Sequence, residues 1–327
     1  KGQQYTYWEG RVTIGHNPGT GKQIQKSFTG KTQKEVREKI QAAAVVVNDG
    51  TYQEPSKMTL GEWLDIWQKD YLGGVKPFTV QTYSKNVRVH IKPALGAVKL
   101  EALTAHKIQG FINDLGKPKG DKKGLSPKTV KCIHGILHKA LQQAVVVGYL
   151  RFNPADNCAL PRSARKEIKP LDSGDISRFL KAIQGDSFET IFLTTLFTGM
   201  RRGEVLGLTW DCVDLERGHI LINKQLQNIP GKPGEYHLVP TKNSKGRMIT
   251  VAPSVVSILK KHRAHQSEMR LLVGSMWEDS GLVFTDDLGH HLAPSTMYHH
   301  YKKIVASIGF PNARFHDLRH SYAVAAI

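Results

Sequence analysis

Thr198-Gly199-Met200-Arg201-Arg202-Gly203-Glu204-Val205-Leu206-Gly207-Leu208 is the stretch on which the reading of this chain turns. It follows a very apolar run, Phe188 to Phe197, that is expected to be a buried helix. Gly199 ends that helix and the chain restarts at Arg202-Gly203-Glu204. Arg201 is therefore placed at a bend beside a helix start, where free backbone donors favour an anion. Val205, Leu206 and Leu208 anchor the turn in the core. Arginine carries fixed charge and a planar fork of donors that fits phosphate oxygens. Taken alone, the segment is better read as a surface arginine at a helix junction.

Two further segments change that balance. The chain's last twelve residues open with His316-Asp317-Leu318-Arg319-His320 and run on through Ser321-Tyr322-Ala323-Val324-Ala325-Ala326-Ile327. His316 and Arg319 are three apart and share one face of the expected helix. Ala323, Val324 and Ala326 would bury that helix and hold the pair rigidly. Histidine shares a proton near neutral pH. Between the two segments lies Pro240-Thr241-Lys242-Asn243-Ser244-Lys245-Gly246-Arg247, where Asn-Ser-Lys-Gly reads as a hairpin loop. Lys242 at its lip can reach a phosphate or protonate a leaving oxygen. Each signal is weak singly, and their combination in this order is far rarer by chance.

Charge points to the same class of partner. The 327 residues carry a net charge of +18 with 40% hydrophobic residues, enough for packed cores and too long for one small domain. Residues 58–161 hold 15 Lys and Arg against 7 Asp and Glu, whereas residues 171–327 hold 18 against 15. The basic excess is concentrated in the middle, as a polyanion-binding domain requires. Cys132, Cys158 and Cys212 are scattered and suit neither a disulfide frame nor a zinc site, which fits a reducing cytoplasm. No apolar run reaches the roughly 18 residues of a membrane span. His290-His291 and His299-His300 lack a carboxylate or cysteine at metal-ligand spacing, so no metal is expected.

The pattern along the chain predicts several domains: a small α+β unit, an all-α unit, and a mixed, mainly α unit with a small antiparallel sheet. Residues 5–14 and 22–29 read as two strands, with a helix capped at Thr32-Gln33-Lys34-Glu35. Residues 51–57 read as a linker. Thr59, Thr79 and Thr104 are expected to cap helices, the second ending before Pro93. Ser126-Pro127 starts a long helix that Gly148 ends. Residues 162–170 form a basic linker. Ser173 is expected to cap the next helix, and Gly218–Gln225, Tyr236–Lys242 and Arg247–Ala252 read as strands. Helices follow over Ser254–Leu272, Ser295–Ile308 and from Asp317.

On the segments around Arg201, Lys242 and His316–Arg319, and on the order of its three regions, the chain resembles the tyrosine site-specific recombinases, in particular integrases of temperate phages and conjugative transposons. The resemblance covers essentially the whole chain. It implies an arm-site DNA-binding domain over 1–57, a helical core-binding domain over 58–161 and a catalytic domain over 171–327. It implies that a tyrosine attacks a DNA phosphodiester to form a 3′-phosphotyrosyl link, with no metal or cofactor. Arg201 and Arg319 match the two arginines that hold the non-bridging oxygens. Lys242 matches the lysine that protonates the leaving oxygen, and His316 the histidine that assists proton transfer. Glu204 matches an acidic position that orients its neighbours.

The family's nucleophile follows the His-x-x-Arg helix by more than twenty residues, whereas this chain ends eight residues after Arg319. Tyr322 lies one turn into that helix, off the face of a spacing-matched nucleophile, and reads as core or groove-lining. The chain as given is thus expected to bind DNA without cleaving it. Phosphate contacts are expected from Thr79, Lys85, Arg88, Lys128 and Lys131, and from Trp8, Arg11 and Lys26 on a DNA-facing sheet. Expected partners are double-stranded DNA at core and arm sites, further copies in a dimer or tetramer, and an accessory DNA-bending or excision factor. The competing readings are a relative that occupies recombination sites without cutting, a type IB topoisomerase and a metal-dependent nuclease. The last calls for clustered carboxylates, and none stands out.

Overall fold

The computed structural model describes residues 7–16, 20–48, 57–118, 120–121, 123–163, 172–232, 234–241 and 246–325. The chain divides into two compact units, Lys1–Ala164 and Arg165–Ile327.

The first unit opens with the expected hairpin and helix: β1 (Trp8–His16), β2 (Gln23–Gly30) and α1 (Gln33–Asn48). The strands are antiparallel, with Trp8 opposite Gly30 and Val12 opposite Lys26. The helix packs closely on the ribbon: a Cβ added at Gly10 would lie 2.4 Å from the Ile40 side chain. Thr32 accepts from the Glu35 N–H at 3.2 Å, while Glu35 reaches back to the Lys31 N–H at 2.9 Å.

The helical part comprises α2 (Leu60–Asp70), α3 (Pro77–Asn86), α4 (Lys92–Leu95), α5 (Ala105–Gly116) and α6 (Pro127–Val146). Thr59 forms a full capping box with Glu62. Thr104 and Ser126 cap α5 and α6, the latter with Pro127 in its first turn. Two expectations fail here. Thr79 is not a cap, because Pro77 has its φ preset for a helix and starts α3 one turn earlier, after Lys76. Nor does the helix stop before Pro93. It passes through a π-helical turn, Val87–Ile91, closed by the Lys92 N–H on the Val87 carbonyl, and continues as α4. Pro93 stands in α4 directly after that turn. The core joins Leu60, Trp63, Leu64 and Trp67 to Ile91, Ile108, Ile133 and Leu137. Buried Trp63 donates from Nε1 to the Ala140 carbonyl at 2.8 Å, so α2 and α6 are fixed in register.

The second unit begins with α7 (Ser173–Ala182), α8 (Glu189–Thr198) and α9 (Arg202–Leu206). Asp172, not Ser173, caps α7, because a carboxylate one residue earlier accepts the Asp175 N–H at 2.8 Å. The sheet follows: β3 (Val213–Asp214), β4 (His219–Ile222), β5 (Lys224–Asn228), β6 (Tyr236–Pro240) and β7 (Arg247–Thr250). β3, β4 and β7 form one antiparallel sheet and β5–β6 a separate ribbon. The expected single strand over Gly218–Gln225 therefore breaks at Asn223, since β4 pairs with β7 and β5 with β6. The chain ends with α10 (Pro253–Val273), α11 (Pro294–Ser307) and α12 (Phe315–Ala325). One core gathers Phe179, Phe192, Val205, Ile220, Leu259, Tyr301 and Leu318. The fold class is as expected: a small α+β region, an all-α region and a mainly α unit with small antiparallel sheets.

Candidate active site

The site is built where α8 turns into α9. Gly199 ends α8 in the left-handed region, with φ of 61°, a conformation that costs a side chain energy. Arg201 is extended and caps α9. Its backbone N–H donates to Glu204 Oε2 at 2.9 Å and its Nη1 to Glu204 Oε1 at 2.7 Å. Glu204 thus supplies the reciprocal half of a capping box, accepting the Arg201 N–H, while the guanidinium, which can only donate, pairs with the same carboxylate. Gly207, just after α9, lies directly against β5, for a Cβ there would be 2.4 Å from the Leu226 backbone nitrogen.

Glu204 is 2% exposed and is the centre of the cluster. Arg247, at the head of β7, donates Nη1 to Oε1 at 3.0 Å and Nη2 to Oε2 at 2.6 Å. Burial pushes the Glu204 carboxyl upward, but the bonds from Arg247 and Arg201 overturn that and hold it at about 2. It is a permanent anion at neutral pH. Arg319 comes from α12 and donates from Nη1 to the Gly199 carbonyl, so α12 is tied to the turn between α8 and α9. Burial and then the neighbouring charges of Arg201 and Arg247 lower the Arg319 pKa. Three guanidiniums thus surround one carboxylate and leave positive charge in excess, which is the electrostatic requirement for a phosphodiester.

α12 is held at its start. Arg314 donates its backbone N–H to Asp317 Oδ2 at 2.7 Å and its Nη2 to Oδ1 at 2.8 Å, and this cap starts the helix before the expected Asp317. The buried Tyr301 hydroxyl donates to the Arg314 carbonyl at 2.9 Å. His316 is exposed on α12, one turn before Arg319. Lys242 lies outside the described residues, as does the Tyr322 side chain. The flanks of Lys242 are fixed: Thr241 is buried, with its N–H on the Asn223 carbonyl at 3.2 Å, and Arg247 is tied to Glu204.

Arg247 escapes a reading of the sequence by motif. The signal was its strand phase: Arg247 shares its face of β7 with inward-packing Ile249, so a charged residue occupies the core side of the strand.

The DNA-contact candidates lie in the first unit. Lys85 and Arg88 are exposed along α3 and the π-helical turn, and Lys128 and Lys131 are exposed in the first turns of α6. Thr79 is partly buried. Trp8 and Lys26 share the β1–β2 face that carries Gly10, whereas Arg11, opposite Ser27, points to the other face. These three are therefore not brought onto one surface. His290 sits between Asp286 at 3.1 Å and Glu278 at 3.4 Å, and His300 bonds Asp186 at 3.2 Å. Among the described residues no group of three or more potential ligands could hold a metal, and no helix is long and apolar enough to cross a membrane.

Residues 169–327 match the phage integrase family and residues 59–116 the phage integrase N-terminal SAM-like domain. The chain is 29% identical to a XerC-like tyrosine recombinase of Caldanaerobacter subterraneus, over 97% of this chain and 84% of the relative. It is 26% identical to an integrase of Streptomyces ambofaciens, over 96% and 81%. Among solved structures, the Tn1549 transposon integrase in complex with transposon right end DNA superposes with a TM-score of 0.69 at 20% identity, covering 82% of this chain and 86% of that one. A lambda integrase dimer bound to a core site gives 0.57 at 18% identity, covering 94% and 83%. The chain belongs to the phage integrase family, the tyrosine recombinase integrases.

Proposed function

We propose that this protein is a site-specific recombinase that cleaves and rejoins DNA through a 3′-phosphotyrosyl intermediate, inserting or excising a mobile element. The observation that carries this is the convergence of Arg201 and Arg319, 118 residues apart in sequence, on the Gly199 turn beside buried Glu204. Arg201 and Arg319 hold the two non-bridging oxygens and stabilise the charge that develops as the phosphorus becomes five-coordinate. A tyrosine oxygen attacks phosphorus, the bond to the 5′-oxygen breaks, and Lys242 supplies the proton that this oxygen takes. His316 assists proton transfer at the same phosphate. The released 5′-hydroxyl of a partner strand later attacks the phosphotyrosine, restoring the diester and the free tyrosine. Bond energy is stored in the covalent link, so no external energy source is required. The attacking group is a tyrosine other than Tyr322.

Residues 1–57 act as an arm-site domain, 58–161 as the core-binding domain and 171–327 as the catalytic domain, joined by the basic segment 162–170. Lys85, Arg88, Lys128 and Lys131, exposed on the helical region, supply phosphate contacts, with Thr79 beside them. Arg11, exposed on the ribbon face opposite the one packed on α1, is the DNA contact of the first region. The protein works in the cytoplasm as a dimer or tetramer on double-stranded DNA, with an accessory DNA-bending or excision factor.

The test is trapping. The full-length protein is incubated in EDTA with attachment-site DNA nicked next to the cleavage position, so that the cleaved fragment diffuses away. An SDS-resistant protein–DNA band with a free 5′-hydroxyl is expected. Tight, salt-sensitive binding without the band would leave a non-cleaving site binder.

A further inference from the structure

The geometry points to Arg247 as a positioning residue for strand cleavage: it takes up the charge of Glu204, so that this carboxylate orients Arg201 without neutralising it. The inference rests on the recombinase reading above. Glu204 accepts four hydrogen bonds, and Arg247 supplies two of them as a fork, including the shortest at 2.6 Å. Arg201 contributes its backbone N–H and only one side-chain donor, Nη1. Among the described residues no acceptor meets Nε or Nη2 of Arg201, and half of its side chain remains exposed. Those are the donors that a phosphate would take.

The two-point fork is the strongest pairing a guanidinium makes with a carboxylate. With the fork in place, the charge of Glu204 is matched by Arg247, and Arg201 keeps its own for the anion. Remove the fork, and a buried carboxylate is left with one partner. An uncompensated buried charge is costly, so the Arg201 guanidinium would turn to cover both oxygens. The donors aimed outward would then be lost. Arg247 is well placed for a fixed clamp: it begins β7, pairs with Ile222 of β4, and follows Lys242 by five residues, so it also anchors the exit of the segment that carries the proton donor.

The test uses the full-length protein, with Arg247→Met, Arg247→Lys, Glu204→Gln and the double variant Glu204→Gln/Arg247→Met. DNA affinity, melting temperature and the rate of covalent trapping are measured for each, with trapping assayed well below the lowest melting temperature. Arg247→Met is expected to trap roughly 10- to 100-fold more slowly at nearly unchanged DNA affinity, as for loss of an outer supporting contact. Arg247→Lys, which keeps the charge but not the fork, falls between. In the double variant Arg201 is no longer drawn onto a full charge, and trapping recovers roughly fivefold or more over Arg247→Met. If Arg247→Met traps at the wild-type rate while folded, the inference fails and the recombinase reading stands. A double variant slower than Arg247→Met also overturns it. A wild type that leaves no covalent band removes both.

Discussion

Glu204→Gln isolates the electrostatic part of the site, because the change is nearly isosteric. The Glu204 carboxyl is held at about 2 in the folded chain against an ordinary value of 4.5. A depressed carboxyl stabilises the fold above its unfolded value, and that stabilisation is lost as pH falls through the folded one. The gap corresponds to about 3 kcal/mol at pH 7, falling to about 1 kcal/mol at pH 3. Glutamine has no such dependence, and it presents an amide to one of the two guanidiniums. The wild type's advantage over the variant should therefore be largest at pH 7 and shrink by about 2 kcal/mol by pH 3. Pulse-labelled hydrogen exchange of peptides from α8 and β4 across a urea series at pH 7, 5, 4 and 3 reads this unit directly. A difference that stays constant across those pH values would refute the assignment of Glu204 as a buried anion held by Arg201 and Arg247.

Other expectations follow from packing and caps. Gly207→Ala places a methyl 2.4 Å from the Leu226 backbone nitrogen and 2.7 Å from the Gln225 carbonyl carbon, so β5 must shift. It should cost about 1–3 kcal/mol in urea unfolding and slow trapping as well. Gly135→Ala meets nothing within 4 Å in the middle of α6 and should stabilise the first unit by about 1 kcal/mol, seen as a higher urea midpoint. Thr59→Ala removes one half of the α2 capping box and should lower that unit's stability by about 1 kcal/mol.

Much of this architecture is legible in the residues themselves. Ser126-Pro127 and Thr59-x-x-Glu62 start α6 and α2 because their side chains satisfy orphan N–H groups wherever they stand. Thr79 misled because a threonine near an apolar run resembles a cap, while Pro77 starts the helix one turn earlier, after Lys76, by fixing φ. Pro93 misled because local rules end a helix there, whereas a π-helical turn carries it through. At the site, Arg201, Glu204 and Arg319 could be picked out because each lies in a distinctive local segment. Arg247 could not, since its role depends on β7 pairing with β4 and on Glu204 being buried, both of them long-range facts. The faces of Trp8, Arg11 and Lys26 were likewise set by strand register, which composition does not carry.

The most direct test of the central claim compares wild type, Arg201→Ala and Arg319→Ala on the same nicked attachment-site DNA, in EDTA, at protein concentrations that saturate binding. If the two arginines hold the scissile phosphate, each variant should bind DNA nearly as tightly as the wild type and yet form covalent complex on the order of 10²- to 10³-fold more slowly. Covalent complex formed at the wild-type rate by either variant would contradict the account, and with it the assignment of the Gly199 turn as the place where the phosphodiester is held.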